Sequence, residues 1–191
     1  MRIKANIDDC AIIISDFLPN SLFKKIFNFK YTFNSNSHKE WNKHLYLDKK
    51  DFKTMKEINV EENLAIIEKG VVKAKDKIFE DFCKILIDCP FIPFQFNSRI
   101  DVSYYEYDKF SGINWHQDGP YTLNYSFYIH DNWDDNWGGE TLIDTERGLP
   151  LVSYPYPNNL LAIKNNILHK VCPVTGPIKR KVLQVRGVFY E

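Results

Sequence analysis

The chain has 191 residues, 25 Lys+Arg against 25 Asp+Glu for a formal net charge of zero, 44% hydrophobic and 15% aromatic residues. That composition excludes a disordered chain, and the length suits a single domain over 1–191 with a substantial core. Balanced charge gives no reason to bind a polyanion or an anionic membrane, so neither nucleic acid nor membrane is expected as a partner.

No apolar run approaches the ~18 residues of a spanning helix, and the segment Met1–Asp9 lacks the long apolar stretch of a secretory leader. Cys10, Cys83, Cys89 and Cys172 form no CxxC pair, so reduced thiols and a cytoplasmic setting are the expectation. Only five of the basic residues are Arg, which makes each one conspicuous.

In chain order, Ala11-Ile12-Ile13-Ile14 reads as a short buried strand. Asp16–Ser21 is a turn that caps a helix running to Phe29, and His44–Leu47 reads as another strand. From Val60 to Asp88, Leu64, Ile67, Val71, Ala74, Ile78, Phe82 and Ile85 recur at three- and four-residue steps, the spacing of one buried helical face, until Cys89-Pro90 ends it. After Pro93 the pattern turns to β. Runs at Arg99–Tyr107, Ile113–Gln117, Thr122–His130, Glu140–Asp144, Leu149–Tyr154, Leu160–Lys164, Leu168–Pro173 and Arg180–Tyr190 are separated by Gly, Pro, Asn and Asp. Short strands at this spacing, without intervening helices, predict a mainly β fold. The expectation is a jelly roll over 93–191, with a helical N-terminal support region over 1–92 packed on its outer face.

His116-Gln117-Asp118 places an imidazole and a carboxylate on one side of an extended segment, because residues i and i+2 share a face. His169, at the start of a later strand, is the candidate third ligand. Two His and one carboxylate on one face of an octahedron leave positions open, as in non-haem Fe(II) oxygenases.

With these residues in view, the sequence resembles the 2-oxoglutarate- and Fe(II)-dependent dioxygenases, in particular their prolyl 4-hydroxylase-like branch. The segment Tyr107-Asp108-Lys109-Phe110-Ser111-Gly112-Ile113-Asn114-Trp115-His116-Gln117-Asp118 looks like the family's tyrosine, loop and HxD. Tyr128–Trp133 followed by Trp137-Gly138-Gly139-Glu140-Thr141-Leu142 looks like its strand, tryptophan and GGE-L segment. His169-Lys170-Val171-Cys172-Pro173-Val174 is similar to its distal His-x-V-x-P-V, and a basic residue follows on the last strand.

The resemblance covers roughly residues 100–190 and implies a double-stranded β-helix, Fe(II), 2-oxoglutarate as cosubstrate, O2, and ascorbate as an accessory reductant. It implies Tyr107 and Arg180 as partners of the cosubstrate's far carboxylate, since Arg pairs with carboxylates bidentately and stays charged when desolvated. Lys179 competes with Arg180: only one of the two points inward on a strand, and alternation does not choose between them. The Ser or Thr that the family places after this Arg is Val182. Arg186 departs from the prolyl hydroxylase pattern and looks like the second Arg of the nucleic-acid demethylase branch, near the metal-bound end of the cosubstrate. The related halogenases have a small residue in place of the carboxylate ligand; Asp118 keeps it, which implies hydroxylation.

The activity implied is oxidation of an unactivated C–H bond of a prolyl residue or a small amino-acid-like substrate, with release of succinate and CO2. A nucleic-acid or nucleobase demethylase is the alternative, opposed by the zero net charge and the acidic loop Asp131–Trp137, which reads as a lid or substrate rim. A non-enzymatic metal-binding jelly roll is the other, opposed by the intact His116, Asp118 and His169. His130 is a candidate neighbour of the site. His38 and His44 read as background. Substrate identity and oligomeric state are not legible at this level.

Overall fold

The computed structural model of the chain describes residues 1–7, 10–31, 63–91, 98–118, 123–145, 148–164 and 166–189. In chain order the elements are β1 (Arg2–Ile7), β2 (Ala11–Ser15), α1 (Asn20–Phe27), β3 (Ala65–Glu68), β4 (Val71–Ala74), α2 (Lys77–Ile87), β5 (Ser98–Tyr107), β6 (Ile113–His116), β7 (Leu123–Tyr128), β8 (Thr141–Ile143), β9 (Leu151–Ser153), β10 (Leu160–Lys164), β11 (His169–Val171) and β12 (Arg180–Phe189). They form an eight-stranded sheet of order β1-β2-β10-β7-β12-β5-β3-β4 facing a four-stranded sheet of order β6-β11-β8-β9. This is the expected jelly roll. Among the described residues, all the strand pairings are antiparallel. No helix of the described residues is long and apolar enough to cross a membrane.

The central strands of the larger sheet are buried on both faces, and they read accordingly. Leu160-Leu161-Ala162-Ile163 of β10 is an unbroken apolar run, because Leu160 and Ala162 pack outward under the helices while Leu161 and Ile163 pack between the sheets. The outer core is aromatic. Phe127 of β7 is fully buried against the rings of Phe17, Phe23 and Phe82. Helix α2 adds Phe79, Phe82, Cys83 and Leu86 to this layer. It starts at Asp76, whose carboxylate accepts the Ile78 N–H at 2.9 Å as an N-cap.

Sequence periodicity misplaces one element. The helix expected over 60–88 is a β-hairpin, β3–β4, followed by α2. Lys69 and Gly70 adopt φ of 51° and 76°, the paired positive dihedrals of a tight hairpin turn. The flanking Ile66, Ile67, Val71 and Val72 are β-branched and favour the pleated surface. The three- and four-residue spacing arose by chance across the turn.

Among the described residues, the N-terminal region therefore supplies four strands to the flanks of the larger sheet as well as two helices. Strand β1 was not anticipated, and α1 is shorter than the expected helix, starting after Pro19. The expected strand His44–Leu47, and His38 with it, lie outside the described residues.

Candidate metal centre

β6 and β11 are neighbours in the smaller sheet, and their register sets His116 directly opposite His169. The rings lie 4.3 Å apart between centroids. Each is oriented the same way: Nδ1 of His116 lies 2.7 Å from the Asn114 carbonyl oxygen, and Nδ1 of His169 lies 2.9 Å from that of Ile167. A carbonyl only accepts, so Nδ1 carries a proton in both rings, and Nε2 is the nitrogen that a neutral ring would offer as a ligand atom.

Those two Nε2 atoms converge on one carboxylate. His116 Nε2 is 3.6 Å from Asp118 Oδ1, and His169 Nε2 is 3.2 Å from Asp118 Oδ2. One ligand atom from each of the three residues lies within 4.8 Å of the others. Burial works to raise the Asp118 carboxyl, but the His116 and His169 rings against its two oxygens and the charge of Arg186 outweigh it and hold the group well below the usual carboxylate range. Two imidazoles with backbone-anchored Nδ1 and an ionised carboxylate form the donor set a divalent transition metal requires.

The same pocket runs inward from this triad to Arg180. Its wall includes Tyr107, Asn124, Ser126, Thr141, Gln184 and Arg186 besides the triad. Arg180 begins β12, opposite Tyr107, and is 1% exposed. Its guanidinium sits over the rings of Tyr107 and Tyr128, at 4.7 and 5.1 Å, and donates to the hydroxyls of Thr141 at 3.3 Å and Tyr128 at 3.5 Å. Nε meets no acceptor, and among the described residues no carboxylate pairs with the side chain. A buried cation held only by dipoles and ring faces calls for an anionic partner.

Lys179 is disposed the other way. It is half exposed and bridges Asp108 at 2.9 Å and Glu106 at 3.1 Å outside the pocket. Strand alternation thus assigns the inward position to Arg180, with Val182, Gln184 and Arg186 on the same face.

Tyr107 is buried on the pocket wall, and burial pushes its hydroxyl up to about 12, so it stays protonated. Arg186 lines the pocket on the triad's side and donates to the Tyr105 hydroxyl at 2.9 Å. His130 is 1% exposed, its ring near-parallel to Tyr128 and tilted against Trp133; burial keeps it well below its ordinary pKa and therefore neutral.

Two tryptophans take opposite positions. Trp133 of the acidic loop is buried, its Nε1 donating to the Gly138 carbonyl, so the loop is anchored to the core at this residue. Trp115 is on the outer face of the smaller sheet, 39% exposed under the Lys170 ammonium. Sequence reasoning missed Tyr128, Thr141, Asn124, Ser126 and Gln184. A signal for three of them was present: Asn124, Ser126 and Tyr128 alternate with Tyr125 and Phe127, giving β7 one polar face toward the interior.

Residues 102–185 match the family model described as the 2OG-Fe(II) oxygenase superfamily. The chain is similar in structure to a prolyl-4-hydroxylase of Pseudomonas putida, with a TM-score of 0.61 and 12% identity over 96% of this chain and 94% of that one. It is similar to a Trichoplax adhaerens prolyl hydroxylase solved with a hypoxia inducible factor peptide fragment, with a TM-score of 0.67 and 12% identity over 95% and 84%. It is also similar to the viral collagen prolyl hydroxylase of Paramecium Bursaria Chlorella virus-1, solved with 2OG, with a TM-score of 0.55 and 11% identity over 94% and 96%. No curated protein matches the chain.

Proposed function

We propose that this chain, which belongs to the 2OG-Fe(II) oxygenase superfamily and is a 2-oxoglutarate-dependent dioxygenase, hydroxylates an unactivated C–H bond of a prolyl residue or a small amino-acid-like molecule. One observation carries the reading: a buried, uncompensated guanidinium and a convergent His-Asp-His set line the same pocket. 2-Oxoglutarate has an anion for the first and a chelating keto-acid for a metal at the second.

In this reading His116, Asp118 and His169 hold Fe(II). With 2-oxoglutarate and O2, the metal supplies an oxidant for C–H bonds, and the cosubstrate leaves as succinate and CO2. Arg180 pairs with the far carboxylate. Tyr128 and Thr141, whose hydroxyls already engage its guanidinium, fix its rotamer. Tyr107 covers the same end, its ring beneath Arg180. Arg186 stands on the triad's side and serves the metal-proximal end of the cosubstrate. Ile113, Ile163 and Val171 complete the wall with apolar surface that keeps water from the reacting atoms. Ascorbate would act only to return the metal to its reduced state.

The substrate assignment rests on the fold shared with the prolyl hydroxylases, one of which holds a peptide. It also rests on the absence of a net positive charge to attract nucleic acid.

Anaerobic addition of Fe(II) and 2-oxoglutarate should produce the weak visible charge-transfer band of the bidentate complex. A folded protein that shows no such band overturns the reading, and Asp118→Ala or His116→Ala should abolish the band. Succinate release screened over prolyl peptides, free amino acids and methylated oligonucleotides then decides the substrate. Stimulation by the oligonucleotides alone refutes the proposed class.

A further inference from the structure

Asp118 is held from a third side. Asn124 of β7 donates through Nδ2 to Asp118 Oδ2, Gln184 of β12 donates through Nε2 to Asn124 Oδ1, and Ser126 of β7 donates through Oγ to Gln184 Oε1 at 3.0 Å. The register makes this possible, because Ser126 pairs with Gln184, and Asn124 is the next inward residue along β7. Asn124 and Gln184 are nearly buried, at 7% and 8% exposure.

The chain runs in one direction only. An ionised carboxylate can only accept, so Asn124 must face it with its NH2 group. Its carbonyl then faces Gln184, which must present its own NH2, and the remaining Gln184 carbonyl takes the serine proton. Each amide orientation is dictated by the one before it, and aligned bonds of this kind reinforce one another.

We propose that Asn124, supported by Gln184 and Ser126, is a positioning residue for the carboxylate ligand. It occupies Oδ2 and so leaves Asp118 to engage the metal through a single oxygen. The inference rests on the reading of His116, Asp118 and His169 as ligands. A carboxylate turned by its own freedom could close on the metal with both oxygens and fill a position that the cosubstrate or O2 requires. The bond from Asn124 opposes that rotation.

The test is Co(II) titration of the metal-free protein, with Co(II) standing in for Fe(II) and read by its d–d absorption and dissociation constant. Asn124→Leu keeps the volume and removes the donor. It should weaken Co(II) binding by roughly 10–100-fold, as loss of a partner to a ligand does. It should also alter the band intensity that reports coordination number, while the unfolding temperature of the metal-free protein stays near that of wild type. Gln184→Leu should weaken binding less, since Asn124 keeps its donor but loses the bond that fixes its orientation.

If Asn124→Leu does not fold, Asn124→Ala carries the same expectation and Gln184→Leu the smaller effect. Wild-type Co(II) affinity and spectrum in a folded Asn124 variant overturn the inference while leaving the metal site standing. Failure of the wild-type protein to take up Co(II) overturns the site, and the inference with it.

Discussion

Arg180 has a full charge, 1% exposure and an Nε without an acceptor, so its burial is a cost that the cosubstrate would offset. Arg180→Lys keeps the charge but loses the planar fork. It should raise KM for 2-oxoglutarate about 30-fold, the equivalent of about 2 kcal/mol, in a succinate-release assay. Arg180→Met should leave the unfolding temperature of the metal-free protein unchanged or higher while removing any stabilisation by 2-oxoglutarate; a large loss of stability would mean the cation is structural. His130 makes a different prediction. The fold holds it well below 6.5, whereas the unfolded chain takes up a proton near that value. Its contribution to stability is therefore complete above pH 6.5 and shrinks as the pH falls below it, with a limiting slope of about 1.4 kcal/mol per pH unit. Denaturant unfolding between pH 5 and 7 should show that slope in wild type, reduced in His130→Asn.

Elements place these residues by register and by close approach. β6 and β11 put the two imidazoles opposite each other, and the segment before β8 must pass close to the chain that follows β11. Gly138 does so at φ 67°, and a Cβ there would lie 2.2 Å from the Pro173 carbonyl oxygen. Gly139, at φ 69°, would place one 2.9 Å from the Trp133 ring and 3.4 Å from Arg180 Cδ. The motif Gly138-Gly139-Glu140 is thus a backbone requirement at the floor of the Arg180 pocket. Gly138→Ala combines a backbone conformation essentially confined to glycine with a clash against backbone, and should cost about 2–4 kcal/mol by chemical denaturation. Gly139→Ala should in addition raise KM for 2-oxoglutarate through Arg180. A Gly138→Ala variant as stable as wild type would show that the loop can move away freely.

At the scale of the whole molecule, the pocket is assembled from both sheets: His116 and His169 from β6 and β11, and Asn124, Ser126, Arg180, Gln184 and Arg186 from β7 and β12. Ligands that bridge the sheets bind the folded state alone, so they should stabilise it by mass action. Co(II) and 2-oxoglutarate together, each at 100 times its dissociation constant, should raise unfolding free energy by more than the ~2.7 kcal/mol of one ligand at that excess, and a chelator should reverse the gain. An unfolding temperature indifferent to both would contradict a shared pocket.

The sequence by itself determined the β-rich second half, most of its strand positions and the shared face of His116 and Asp118, because alternation and i,i+2 spacing are local properties that an extended chain preserves; that His169 meets them is a matter of strand pairing. It misread residues 65–74, where apolar spacing fits a helix and a hairpin equally well and a single tight turn at Lys69-Gly70 decides. It left Arg180 and Lys179 undecided, since a strand's two faces are equivalent until another layer covers one of them. Tertiary structure settled that orientation by burying Arg180 under two tyrosine rings and leaving Lys179 to surface carboxylates. It alone brought Asn124 and Gln184 to Asp118, because a contact between β7, β12 and the end of β6 depends on strand order, which no local pattern encodes.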